Sequence, residues 1–301
     1  MRKLFFFLTL LTNVLAVPAI SAPHVVVSIV PLHSLVASVM DGVAEPELLM
    51  QGNNSEHNAS FSPQQSANLG HADLVFIIGD NLEVKLGEIS GSETVGGKAF
   101  IKMNEIPGLV KHAIREGGTW EPDGDEVPSA NNADPHIWLD PENAKMMVSA
   151  IAAALEKADI ANAHFYESNR DKTIASLDAL EIEIRAKLAP AQHKLFIVFH
   201  DAYQYFEHRF KVSAVGSISN FSATPPSAQR LEEIHNKINS SNAACVFREP
   251  QFGDAAVQIV IEGTKAKSSV LDPVGATLIP GKTAYNDLLR QIAANLANCL
   301  D

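Results

Sequence analysis

The sequence has no apolar run long enough to cross a membrane. The run from Leu4 to about Leu15 falls short of the roughly 20 residues a spanning helix needs. Positive charge is in deficit, with 23 Lys and Arg against 35 Asp and Glu and a formal charge of −12. Such a surface repels nucleic acid and anionic membrane and weakly gathers cations, although a merely solubilising surface carries the same charge. Cysteine is limited to two residues, Cys245 and Cys299, and neither stands near the N-terminus to accept a lipid. No His-Glu-x-x-His pair, the mark of one large class of zinc hydrolases, occurs anywhere. No repeat of solenoid period is visible.

What is there begins with export. Arg2 and Lys3, the apolar run, and then Ala19-Ile20-Ser21-Ala22 follow the order of a secretory signal peptide. Residues 1–22 are expected to be removed, leaving a soluble, exported chain from near Pro23. In an oxidising compartment an even cysteine pair reads as a disulfide, with two buried free thiols as the alternative. A Cys245–Cys299 bridge would pin the C-terminal helix to the strand that holds Cys245.

The mature chain alternates apolar strands with helices. His24–Val30, Glu47–Met50 and Leu74–Ile78 read as strands, and Leu32–Met40 and Pro63–Leu69 as helices, the second with Ser62 as N-cap and Pro63 at its first position. Lys111 to Asn132 carries no apolar period and reads as an exposed polar loop. Two long helical stretches follow, Pro141–Lys157 and Ala161–Leu188. The strand–helix rhythm then restarts at Lys194–Phe199 and runs through further strands near 212–218, 244–248 and 268–271 to a closing helix at 283–298. This pattern predicts an α/β protein of two Rossmann-like lobes joined by a long rigid helix. The boundaries are 23–160 for the N-terminal lobe, 161–188 for the linking helix and 189–301 for the C-terminal lobe.

Three of the eleven histidines stand in a special setting. His200 follows directly on an apolar strand, where ligands of open parallel sheets collect. His57 lies in a loop between a strand and a capped helix. His136 sits within Asp134-Pro135-His136-Ile137-Trp138-Leu139-Asp140-Pro141, between two corners stiffened by proline, and is expected to be presented from an extended segment. Asp140 is the predicted N-cap of the helix that Pro141 opens. A lone histidine in such a corner reads as structural. Three of them, able to converge on a cleft between lobes, match a tetrahedral zinc site when one oxygen joins them. Asp272, which ends the last strand, is a further ligand candidate. Asp134 and Asp201 are candidates to orient the rings. The remaining histidines, His112 included, read as ordinary surface or core residues.

Glu56-His57, Ser62-Pro63, Ala72-Asp73-Leu74-Val75, Asp134 to Pro141, Phe199-His200-Asp201-Ala202-Tyr203 and Leu271-Asp272-Pro273 fall in this order along the chain. The set resembles the periplasmic zinc-binding components of bacterial zinc ABC importers, within the cluster A-I metal-binding proteins. The resemblance spans essentially the whole mature chain. It implies a periplasmic solute-binding protein, not an enzyme, that captures zinc as cargo and delivers it to a membrane permease, with no catalytic cofactor. It carries metal ligation onto His57, His136 and His200, with Glu56, Asp272 or water in the fourth position. A monomer is expected, and nucleic acid is not a partner. The alternatives weighed are a secreted zinc-dependent hydrolase and a metal-linked surface adhesin. One departure is plain: where zinc-branch relatives carry a His-rich loop, this loop is acidic, with only His112 nearby.

Overall fold

The computed structural model describes residues 22–52, 57, 61–91, 99–116, 118–120, 133–220 and 223–301. The expected signal peptide, apart from Ala22, and the candidate ligand Glu56 lie outside the described residues.

Two four-stranded parallel sheets form the frame. The first is built from β1 (Val25–Val27), β2 (Glu47–Leu48), β3 (Leu74–Ile77) and β4 (Ala99–Lys102), in the order β2-β1-β3-β4. The second is built from β5 (Leu195–Val198), β6 (Ser213–Ser217), β7 (Cys245–Arg248) and β8 (Lys267–Val270), in the order β6-β5-β7-β8. Both sheets therefore repeat one topology, with the strand order reversing direction between β1 and β3 and between β5 and β7. The inner strands are buried without interruption in Val25–Val27, Leu74–Ile77 and Phe196–Val198, as strands covered by helices on both faces must be.

The helices of the first lobe are α1 (Val30–Val39), α2 (Pro63–His71) and α3 (Val84–Ser90). In α1, Leu32, Leu35, Val36 and Val39 form the buried stripe at helical spacing. Helix α2 begins with a complete capping box, in which Ser62 Oγ accepts from the Gln65 amide while the Gln65 side chain accepts from the Ser62 amide. Helix α3 and strand β4 were not foreseen. Their sequences, Val-Lys-Leu-Gly-Glu-Ile-Ser and Ala-Phe-Ile-Lys, are too short and too polar to show a period of their own.

Helix α4 (Pro141–Ala158) is capped by Asp140, whose carboxylate accepts from the Glu142 amide at 2.9 Å. Helix α5 (Ala163–Leu188) runs 26 residues, about 39 Å at 1.5 Å per residue, and lies between the two sheets in sequence. It buries Leu177, Leu180, Ile184 and Leu188. The second lobe adds α6 (Gln204–Phe210), α7 (Ala228–Ser241), α8 (Ala255–Ile261) and α9 (Ala284–Leu300). Helix α8 stops at Ile261, and the chain turns two residues later through Gly263 at φ +74°.

Helix α9 does more than close its own lobe. It packs on α5 and α1, Tyr285 N donates to Ser34 Oγ at 2.9 Å, and Asn286 Nδ2 donates to Ser176 Oγ at 2.8 Å. The Cys245–Cys299 disulfide is formed, tying β7 to the last turn of α9 across 54 residues of sequence. No described helix is long and apolar enough to cross a membrane.

The segment from Lys111 departs from the exposed loop expected of it. Ala113 is buried, and residues 118–120 lie along the free edge of β6, with Thr119 bridging Gly216 in antiparallel sense. Residues 121–132, the acidic remainder of that loop, lie outside the described residues.

Candidate metal centre

Three elements deliver the three histidines. His200 follows β5 by two residues, at the point where the strand order of the second sheet reverses, the usual place for a ligand in such a sheet. His57 comes from the connection between β2 and α2. His136 does not come from an extended segment. It has φ −77° and ψ 39° and opens a 3-10 turn over Ile137–Leu139. The turn is imposed by Asp134, whose Oδ1 accepts from the His136 amide at 2.9 Å and so folds the chain back at the proline.

Among the described residues, one group of three or more His, Cys, Asp or Glu brings its ligand atoms together, and it is His57, His136 and His200, all within 4.8 Å of one another. The Nε2 atoms of His136 and His200 are 3.4 Å apart. The ring of His57 stands edge-on to both, with centroids at 5.5 and 5.8 Å. His136 and His200 are fully buried, and His57 is half-buried.

Both buried rings are held from behind. His136 Nδ1 lies 2.7 Å from Asp134 Oδ1. His200 Nδ1 lies 2.8 and 2.7 Å from the two oxygens of Glu249, which Tyr203 also approaches through its hydroxyl at 3.4 Å. A carboxylate at Nδ1 fixes that nitrogen as the proton donor and leaves the Nε2 lone pair facing the cluster. Burial holds the imidazoles of His57 and His136 neutral. The pKa of His57 falls to about 2, through burial first and then its neighbours His136 and His200. Burial and His200 likewise push His136 well below its ordinary value. Burial and the nearby Asp201 raise the Asp134 carboxyl well above the usual carboxylate range. The result is that protons do not occupy the nitrogen donors of His57 and His136 near neutral pH, while buried acidic groups stand behind His136 and His200.

Asp134 orients a ring as expected, but Asp201 does not. Asp201 instead accepts from Arg115, Nε to Oδ1 at 3.1 Å and Nε to Oδ2 at 2.9 Å. The group at His200 is Glu249, immediately after β7, which sequence reading missed. Its only signal was its place at the end of an apolar strand, the same signal that marked His200 and Asp272. Asp272 is not gathered with the histidines. Its Oδ1 accepts from the amides of Val274 and Gly275 and from Gln251 Nε2, at 3.1, 2.9 and 3.1 Å, and its Oδ2 accepts from the Ala276 amide at 2.7 Å. It builds the turn whose Pro273 carbonyl accepts from Trp138 Nε1 at 2.8 Å, and the Trp138 ring lies 5.3 Å from His136. Of the histidines read as ordinary, His112 stacks on His208 at 4.1 Å, away from this group.

Two parallel-sheet lobes, a long helix between them and an imidazole trio where they meet are the frame of a metal-binding solute receptor. The solved structures agree. One described as the crystal structure of ZnuA superposes with a TM-score of 0.78 at 26% identity, covering 93% of this chain and 100% of the other. The periplasmic zinc-binding protein TroA of Treponema pallidum shares the fold, with a TM-score of 0.79 at 21% identity and coverage of 92% and 99%. The chain belongs to the family of ZnuA, the periplasmic component A of the zinc-uptake complex, whose family model matches residues 25–299. The high-affinity zinc uptake system protein ZnuA of Brucella abortus (strain 2308) is 40% identical over 306 aligned positions, covering 92% of this chain and 91% of that protein.

Proposed function

We propose that this chain is the periplasmic receptor of a zinc importer, which binds one zinc ion through His57, His136 and His200 and hands it to a membrane permease. The observation that carries this is the 3.4 Å between the Nε2 atoms of His136 and His200. Two nitrogens each about 2.0–2.1 Å from a tetrahedral zinc are about 3.3–3.4 Å apart. The pair is thus already spaced for the ion. Asp272 keeps its turn, and the fourth position is left to an oxygen of Glu56 or of solvent.

Nitrogen-rich ligation favours zinc over manganese, which prefers oxygen and stands lowest in the affinity order of these metals. Export through a cleaved signal peptide accounts for the first 22 residues, and the protein acts as a monomer. The acidic surface gives nucleic acid no purchase. Catalysis is no part of this reading, so the zinc-loaded protein leaves generic ester, peptide and phosphate substrates intact.

The test is competition titration of the metal-free protein at fixed pH, since protons compete for imidazole. Zinc is expected to bind more than about a hundredfold tighter than manganese, roughly 3 kcal/mol. Comparable affinities for the two ions would overturn the proposal.

A further inference from the structure

Arg115 has no place in the metal site, yet all three of its guanidinium nitrogens are engaged. Its Nη2 donates to Glu207 Oε1 at 2.8 Å and also to Asp201 Oδ1, its Nη1 donates to Glu207 Oε2 at 3.2 Å, and its Nε spans both oxygens of Asp201. The three side chains are 13%, 4% and 7% exposed, for Arg115, Asp201 and Glu207. The guanidinium also lies 4.1 Å over the ring of Trp120. Burial alone would favour losing the proton, but Glu207 and Asp201 outweigh it and hold Arg115 firmly charged.

The stretch that carries Arg115 is fastened at both ends. At the near end, the His112 carbonyl accepts from the Asp134 amide at 2.8 Å, and Ala113 bridges Ala133. The Tyr205 hydroxyl closes this neck, donating to the Asp134 carbonyl at 2.8 Å and accepting from the His112 amide at 3.3 Å. At the far end, Gly118 and Trp120 join the edge of β6. Ser217 N donates to the Gly118 carbonyl at 2.9 Å, Trp120 N to the Val215 carbonyl at 3.2 Å and Trp120 Nε1 to the Ala214 carbonyl at 2.8 Å. The guanidinium of Arg230 lies across the strap at Gly118, where a Cβ would fall 1.5 Å from its Nη1 and would displace that side chain.

The strap therefore holds Asp134, which orients His136, at one end, and through Arg115 it holds Asp201, the neighbour of His200. We propose that Arg115 is a positioning residue for metal binding, acting through Asp201 to fix His200 at its distance from His136. The inference rests on the zinc-binding reading of the site. A planar guanidinium is suited to this task because it grips two carboxylates in fixed directions, which a lysine ammonium cannot do.

The experiment compares the full mature chain with Arg115→Lys, using zinc competition titration and the visible absorption of bound Co²⁺, both well below the melting temperature of either protein. Zinc binding is expected to weaken at least about tenfold, with altered Co²⁺ bands. A purely structural ion pair would lower the melting temperature and leave both readouts unchanged. Zinc affinity within about threefold of the parent, with an identical Co²⁺ spectrum, overturns the proposal. If Arg115→Lys does not melt cooperatively, the triple variant R115M/D201N/E207Q takes its place, since it leaves no buried carboxylate unpaired. Weakened zinc binding in that variant supports the positioning role, and parental binding refutes it. A parent chain that binds no zinc removes the functional reading itself, an outcome separate from a parent and variant that bind alike.

Discussion

Glu249 meets His200 Nδ1 with both of its oxygens, at 2.8 and 2.7 Å, although the two residues are 49 positions apart and neither reaches solvent. They are neighbours because β5 and β7 are adjacent in the sheet. The contact decides which nitrogen of His200 carries the lone pair. Glu249→Gln keeps the shape but presents an amide that can turn its NH₂ toward the ring. Zinc affinity should fall about 10–100-fold, the range for removing a group that orients a metal-ligating histidine. Calorimetric competition with a chelator of known affinity measures it, and an unchanged affinity would show that His200 needs no such partner.

The three histidines should differ sharply from their neighbours in what they do for stability. A ligand that binds only the folded chain stabilises it by mass action, by about 2.7 kcal/mol at a hundred times its dissociation constant. His136→Ala and His200→Ala should each abolish most of the zinc-induced rise in melting temperature. His112→Ala, whose ring stacks on His208 and lies outside the group, should keep it. Equal losses in all three would place the site elsewhere.

The first lobe holds a buried carboxyl with a different task. Glu83 fills the β1–β3 switch point, accepting from the amides of Ile78 and Gly79 at 3.0 and 2.8 Å and from the Ser28 hydroxyl. Burial raises its pKa to about 7, even though these three donors pull the other way. The folded chain therefore binds a proton that the unfolded chain has already released, so stability falls as pH rises from about 4.5 to about 7. The fall is on the order of 3 kcal/mol, at about 1.4 kcal/mol per unit. Glu83→Gln should flatten this part of the stability profile of the metal-free protein, read from denaturant unfolding at several pH values. A variant with the parental slope would assign the dependence to other groups.

Reduction of the Cys245–Cys299 bond should cost about 2–5 kcal/mol, the usual range for a native disulfide in an exported domain. The bridge joins β7, which leads into Glu249, to α9, which packs on α5 and α1. Mass spectrometry without reductant should recover the two peptides linked. Free thiols in the exported protein would contradict the bridge.

Much of this could be read from the chain itself. Apolar strands bounded by turns, the Ser62-Pro63 and Asp140-Pro141 helix starts and the absence of helix breakers from Ala161 to Leu188 are local signals, and the elements formed where those signals lay, the long helix starting two residues later, at Ala163. The three histidines were legible for the same reason, because each stands at a strand end or a stiff corner. Their partners were not. Glu249, Arg115 and Glu207 are ordinary charged residues in sequence, and each gains its role from strand adjacency or from a strap that crosses between lobes. Asp201 was misread because a carboxylate beside a histidine in sequence need not face it. Asp272 shares His200's strand-end signal, but nothing local shows that three backbone amides and Gln251 close on its carboxylate. Sequence alone determined which residues could bind a metal, since that depends on side-chain chemistry and local backbone. Only the tertiary structure decided which carboxylate meets which ring, because that depends on strand order and on packing between segments far apart in the chain.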